Sequence, residues 1–198
     1  MKNITTLFLT LLLLAACGRK TEKKTRGTST TIENTLKDSI QSQTNKEIST
    51  TEPDWLAALP LRDFPITDST SFDNFEEIGM PDNGFLKRIK FDPRRKDANN
   101  FRLNYKIPFS ANFTSVVISY QLGEHELFAT LITVSKENKI IDRLEIAYDE
   151  VAESAFGKTS KIEKDKIVVT SSNWMSEEPV FETESYLLQN DGKFKKIN

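Results

Sequence analysis

Cysteine and histidine each occur once in this chain of 198 residues, and tryptophan only twice. A single cysteine excludes an internal disulfide framework. One cysteine with one histidine excludes the usual Cys/His zinc clusters, which need three or four such ligands. Neither sign of charge is in excess. Lys plus Arg number 27 against 29 Asp plus Glu, a net charge of -2, so there is no overall pull toward nucleic acid. The sequence holds no Gly-rich phosphate loop and no Asp-x-Asp-x-Asp-Gly calcium loop, and Ser154, Ser160, Ser171 and Ser172 lie in no Gly-x-Ser-x-Gly context. A bilayer-spanning apolar run is missing too. The longest, Leu7 to Ala16, is interrupted by Thr10 and reaches about 15 Å as a helix, half of the about 30 Å of hydrocarbon. What the chain does have is phenylalanine, 13 of them, within a composition 37% hydrophobic and 28% charged, enough to bury a core.

The amino end is organised as an address. Met1-Lys2-Asn3 is a short positive start, and the apolar run after it has the length of a secretory signal core. It ends in Leu14-Ala15-Ala16-Cys17-Gly18, which resembles the bacterial lipobox. The resemblance covers about 20 residues and concerns only this end of the chain. It implies that the Cys17 thiol takes a diacylglyceryl group, that residues 1–16 are removed as a signal peptide, and that the freed amine is acylated, usually with a palmitate-type chain. Small alanines let the backbone enter the peptidase site, and only a thiol forms the thioether. Burying acyl chains is worth about 0.8 kcal/mol per CH₂, and more than one chain anchors stably.

From Gly18 to Glu52 the composition turns to Thr, Ser, Lys, Glu, Asn and Gln with no aromatic residue. Such a stretch buries too little apolar surface to offset its ordering entropy, and is expected to be a disordered polar tether. As a flexible chain it has a root-mean-square reach of about 30–35 Å. Arg19, Lys20, Lys23, Lys24 and Arg26 follow the cysteine closely, either as a run in water or as a contact with anionic headgroups. Ile32, Leu36 and Ile40 recur at helical spacing, a marginal alternative to disorder. The basic start differs from the acidic pattern that exports some lipoproteins to the outer face, which favours a periplasm-facing domain. Asp38-Ser39-Ile40 and Asp68-Ser69-Thr70 look like the acceptor motif of one bacterial O-glycosylation system.

Residues 53–198, about 146 in all, are expected to form one mainly β domain, an antiparallel meander sheet behind a short helical and irregular segment. Pro53 to Leu59 allows one or two helical turns that Pro60 stops. Leu61 to Asn83 reads as irregular, packed through Phe64, Phe72 and Phe75. Phe85 to Phe91, apolar at 85, 89 and 91, reads as a strand, with a polar loop over 92–100. Phe101 to Ile107 alternates at period two, and Phe113 to Leu122 and Leu127 to Val134 are β-branched and aromatic runs around the Gly123-Glu124 turn. Ile140 to Tyr148, Lys166 to Thr170, Phe181 to Leu188 and Phe194 to Ile197 complete the strands, with Asp191-Gly192 as a hairpin turn. Asp149 to Phe156, closed by Gly157, reads as a strand continuation or a short helix.

Candidates for chemistry are few. His125, between Glu124 and Glu126, reads as a turn residue facing water or as a general base. Asp149-Glu150, Glu177-Glu178 and Glu182/Glu184 are carboxylate pairs, which a glycosidase would need to face each other across one cleft. The basic stretch Lys87, Arg88, Lys90, Arg94, Arg95 and Lys96 reads as a strand's charged face and its loop. Trp174 and Met175, in the loop Asn173 to Pro179, are the expected contact residues. Together these features lead to the expectation of a lipid-anchored protein of the cell membrane or outer membrane, acting as a non-catalytic binding or assembly module. The alternative is a periplasmic inhibitor or immunity-type lipoprotein that blocks a hydrolase or toxin, and an unrecognised hydrolase comes after it. The membrane through Cys17 and an envelope protein are the expected partners. No nucleic acid, metal or cofactor is expected.

Overall fold

The computed structural model describes residues 54–198 except 83 and 152–154. The expected signal peptide, Cys17 and the expected tether therefore lie outside the described residues. The elements are α1 (Asp54–Ala58), β1 (Ile66–Asp68), β2 (Met80–Pro81), α2 (Phe85–Arg88), β3 (Ala98–Ile107), β4 (Phe113–Leu122), β5 (Glu126–Ser135), β6 (Ile140–Glu150), β7 (Phe156–Ile162), β8 (Ile167–Asn173), β9 (Val180–Leu188) and β10 (Phe194–Lys196). From β2 to β10 the strands lie side by side in chain order and every pairing is antiparallel, so the sheet is the meander that the alternation predicts.

The best-formed pairing follows the β-branched runs. All ten residues of β4 pair with β5, from Phe113 opposite Ser135 to Leu122 opposite Glu126. Both faces of this pair are buried, which is why both strands read as nearly continuous apolar runs rather than alternating ones. One face carries Val117, Ala129 and Leu131, which pack with Tyr105, Ile107, Ile146, Ile162 and Ile167 into one core. The other carries Val116, Ile118, Ile132 and Val134, covered by Leu56 and Leu59 from around α1 and by Phe85, Leu86 and Ile89 from around α2.

Register shifts bend this sheet and redirect its side chains. In β3 a shift lies between Leu103 and Tyr105. The extra residue there sends Leu103 to the helix-covered core and Tyr105 to the other, although two positions apart in a regular strand share a face. Further shifts in β6 lie at Ala129/Thr130 and Thr133/Val134 of its partner strand. Between β6 and β7 only Tyr148 and Lys158 pair. Beyond that point β7 takes β1 as its neighbour, with Ile66 opposite Ile162 and Asp68 opposite Ser160.

Residues just before β1 lie along the far edge of the sheet. Leu61 bridges Lys106 in parallel, the Arg62 N–H donates to the Lys106 carbonyl at 3.0 Å, and Lys106 donates to the Pro60 carbonyl at 2.8 Å. Residues 60–68 thus run as a strap from β3 to β7 and close the curled sheet over the first core. The β9–β10 hairpin is tied to the same assembly: Thr133 Oγ1 donates to the Gly192 carbonyl at 2.6 Å, and the Phe194 N–H donates to Asp142 Oδ2 at 2.8 Å.

Three sequence expectations need correction. Phe85 to Phe91 is not a strand but α2 and its exit. Phe85, Leu86 and Ile89 are buried, the spacing of a helical face rather than of a pleat. Leu61 to Asn83 is not wholly irregular, since it supplies β1 and β2. Strand β7 was not expected, because Phe156-Gly157-Lys158-Thr159-Ser160-Lys161-Ile162 buries only Ser160 and Ile162. Asp149 and Glu150 belong to β6 and Phe156 to β7, so the helical option is not taken at those positions.

Candidate contact surface

At the end of β7, β8 and β9, apolar side chains face water. Asn173 pairs with Phe156 on one side and Val180 on the other, and Ser172 pairs with Phe181. The register therefore gathers Phe156, Trp174, Met175, Val180 and Phe181 at one sheet end. Trp174 is 54% exposed, Met175 70% and Phe181 58%, values that mark a surface and not a core. The Trp174 and Phe181 rings meet edge to face at 5.8 Å. The turn is held from below: the Trp174 N–H donates to the Ala155 carbonyl at 2.7 Å, and the Met175 N–H to Asn173 Oδ1 at 2.9 Å. Glu177 and Glu178 are exposed in the same turn as Trp174 and Met175, so this end of the sheet carries acidic as well as apolar side chains.

Trp174 and Met175 are thus where the sequence places them, in an exposed loop. Phe181, Val180 and Phe156 join them, which the strand reading missed. The first four residues of β9, Val-Phe-Glu-Thr, are all exposed, which the tertiary fold decides and the sequence does not display.

The other chemistry-bearing residues have structural duties. His125 is exposed in the β4–β5 turn, and its carbonyl accepts from the Val151 N–H at 2.9 Å. Asp149 accepts from the Phe72 N–H at 2.9 Å, pinning the segment before β2. Glu150 accepts from the Tyr148 hydroxyl at 2.8 Å and the Phe156 N–H at 3.0 Å. Glu184 accepts from the Tyr186 hydroxyl at 2.6 Å and from Lys196 Nζ, and Glu182 stands exposed two positions away. In Asp68-Ser69-Thr70 only Ser69 is exposed. Asp68 is 2% exposed and takes the Thr70 N–H, the Thr70 hydroxyl and the Tyr105 hydroxyl. Among the described residues no three or more His, Cys, Asp and Glu gather to hold a metal ion, and no helix is long and apolar enough to cross a membrane.

On the helix-covered side of the sheet, aromatic rings form a row. Phe101, Tyr120, Phe128 and Tyr148 follow one another with centroids 5.0–5.5 Å apart. The Arg95 guanidinium lies 3.8 Å above Phe128, donates to the Tyr120 hydroxyl at 3.3 Å and to Glu145 Oε2 at 3.1 Å. Lys158 Nζ binds the other oxygen of Glu145. Arg95 fastens the 92–97 loop to the sheet in this way, mostly by stacking and geometry, since half-exposed ion pairs contribute little on their own.

No protein-family model, curated protein sequence or solved structure matches the chain.

Proposed function

We propose that the chain is a lipid-anchored protein of the bacterial cell envelope, held at Cys17, whose folded part is a non-catalytic binding or assembly module facing the periplasm. The observation that carries the binding role is the exposed Trp174, Met175, Val180 and Phe181 surface on a fixed hairpin end. Aromatic residues on a rigid support are good anchors, because little side-chain entropy is lost on contact. Glu177 and Glu178 in the same exposed turn favour a partner of complementary charge: an envelope protein with an apolar pocket and Lys or Arg beside it. The lipobox supports the address, and the tether supports reach from the bilayer.

Two measurements test this. Metabolic labelling with a palmitate analogue is expected to tag the wild-type chain and not Cys17→Ser, with the mature protein starting at Cys17; a mature wild-type protein that keeps Met1 overturns the anchor. Affinity capture from envelope extract with the full chain is expected to recover a partner that Trp174→Ala/Phe181→Ala fails to recover. Capture that survives this double substitution overturns the contact surface.

The inhibitor or immunity-type alternative is favoured by one observation, that the Trp174–Pro179 turn projects apolar side chains as a plug would. It requires in addition that the captured partner be a hydrolase or toxin whose turnover the purified chain suppresses.

A further inference from the structure

A second surface lies between α2, the 92–97 loop and the β5–β6 turn, next to the Arg95 cluster. It is a groove of about 540 Å³ lined by Arg88, Lys90, Arg94, Lys139 and Arg143. That volume falls within the range of small-molecule sites, about 300–1,000 Å³. Two carboxylates share the lining, Glu137 and Asp142. Asp142 is spent on backbone, accepting from the Arg143 N–H at 2.8 Å and the Phe194 N–H at 2.8 Å. Glu137 stands on the exposed turn, its carboxyl held below the usual range chiefly by a Ser135 hydrogen bond. Among the described residues Lys90, Arg94, Lys139 and Arg143 enter no salt bridge. The lining thus holds more cations than carboxylates, and four of the cations enter no salt bridge among the described residues.

The backbone supports the same reading. Four non-glycine residues have left-handed φ among the described ones, and three line this groove: Lys90 at 55°, Arg94 at 61° and Asn138 at 60°. Lys90 occupies the residue after the helix end where glycine is usual, with Phe91 N–H donating back to the Leu86 carbonyl at 2.8 Å. Glycine would sit at these positions without strain. Two of them carry a cation instead, and such strain gathers where a side chain is needed in place. Arg143 is held ready by a hydrogen bond to the Asp92 carbonyl and by the Phe91 ring at 5.8 Å.

Arg94 and Arg143 also line an adjoining cavity of about 200 Å³, whose other walls include Tyr120, Thr130 and Glu145. Arg95 already donates to Tyr120 and Glu145, and Lys158 to the other Glu145 oxygen, so a hydroxyl-rich ligand would use the remaining lone pairs of these acceptors and the Arg95 donors beside them. We propose that the groove binds a phosphorylated sugar or polyol, with the phosphoryl group among Arg94, Lys139 and Arg143 and the hydroxylated part toward Thr130 and Glu145. Guanidinium forks match phosphoryl oxygens, and the cationic excess suits a doubly charged phosphate better than a single carboxylate. The site shares no residue with the Trp174 surface and is independent of acylation at Cys17.

The test uses the full chain carrying Cys17→Ser, so that no acyl group contributes. Calorimetric titration is expected to show saturable binding of glucose 1-phosphate, tighter than inorganic phosphate, and none of glucose. Arg94→Gln/Lys139→Gln, both at exposed positions, is expected to weaken it about tenfold or more. The exposed pair Lys161→Gln/Lys195→Gln removes the same charge elsewhere and is expected to leave binding unchanged. Circular dichroism of both variants checks that the fold is kept. Sedimentation with phosphatidylcholine vesicles, with and without phosphatidylglycerol, separates the sources. Recruitment by phosphatidylglycerol that glucose 1-phosphate competes away assigns the ligand to a lipid headgroup; sugar phosphate binding without recruitment assigns it to a soluble molecule. Absence of saturation with either phosphate, preference for inorganic phosphate, or equal weakening by both double variants overturns the proposal.

Discussion

Asp68 shows how one buried carboxylate organises the strap. Its Oδ1 takes the Thr70 N–H at 3.0 Å and the Thr70 hydroxyl at 2.8 Å, while Oδ2 takes the Tyr105 hydroxyl beneath the Arg62 guanidinium, 4.3 Å from the ring. Tyr105→Phe removes the hydroxyl that donates to Oδ2 while leaving the ring in place. The expected loss is about 1–3 kcal/mol in urea denaturation, the cost of an unsatisfied buried acceptor. A loss near zero would show that water or Arg62 replaces the hydroxyl. Gly79 answers to a different constraint. Its φ is 70°, and a Cβ there would stand 2.3 Å from the Leu103 carbonyl oxygen and 2.7 Å from Asn104 Cα. These are backbone atoms of β3, held in place by its neighbours, so Gly79→Ala is expected to cost about 3 kcal/mol or more by the same measurement. Arg102 binds the carbonyls of Glu76, Ile78 and Gly79 at 2.9–3.1 Å, so the clash cannot be relieved by swinging this turn away without breaking them.

Among the elements, β8 and β9 show how stability and contact separate along one hairpin. At one end Ile167 and Tyr186 pair over the core; at the other Ser172 and Phe181 pair in water. The Trp174–Phe181 contact is expected to show a coupling of about 0.5–1.5 kcal/mol in a double-mutant thermal-unfolding cycle. A coupling indistinguishable from zero would mean that the two rings are not held together in solution. The elements also show what a sequence conveys. Strands β4 and β5 were legible because Val116 to Tyr120 and Leu127 to Val134 are β-branched or aromatic and bounded by Gly123. Strand β7 was not legible, because it gains its place from β1 and β8 rather than from its own side chains, only two of which are buried. Helix α2 was misread because a helix of four residues is too short to display periodicity, and its cap comes from Asp82, two residues before the Gly84 start, which accepts from the Leu86 N–H at 3.2 Å. In the contact surface Trp174 and Met175 were legible by type and loop position; Phe181 was not, since exposure of a strand's aromatic depends on what the tertiary fold leaves uncovered. The basic groove was hidden for a related reason, as Lys139 and Arg143 come from the β5–β6 hairpin and Arg88 to Arg94 from α2 and the loop after it.

For the whole molecule, all four tyrosines respond to pH in the same direction. Burial raises Tyr105, Tyr120, Tyr148 and Tyr186 above the ordinary value, with Asp68 adding to it at Tyr105, Glu150 and Glu126 at Tyr148, and Glu184 at Tyr186, which is pushed up to about 12. The folded state therefore prefers the neutral phenols. Their contribution is complete below the unfolded value of about 10 and declines as pH rises through the folded values. Urea denaturation is expected to give constant tyrosine-linked stability up to about pH 10 and a steep fall above it, with tyrosinate absorbance appearing only as the chain unfolds. Absorbance that titrates fully near pH 10 in the folded protein would contradict this.

The strap joins the first strand among the described residues to one almost a hundred residues later, Ile66 to Ile162. A polypeptide made from its amino terminus cannot seal that seam until β7 has emerged, long after Ile66 is exposed. The enclosure therefore comes late, and the distance spanned in sequence slows it. A product cut short anywhere before β7 would leave an open edge and a bare apolar interior, material for a quality-control protease and not for a folded fragment.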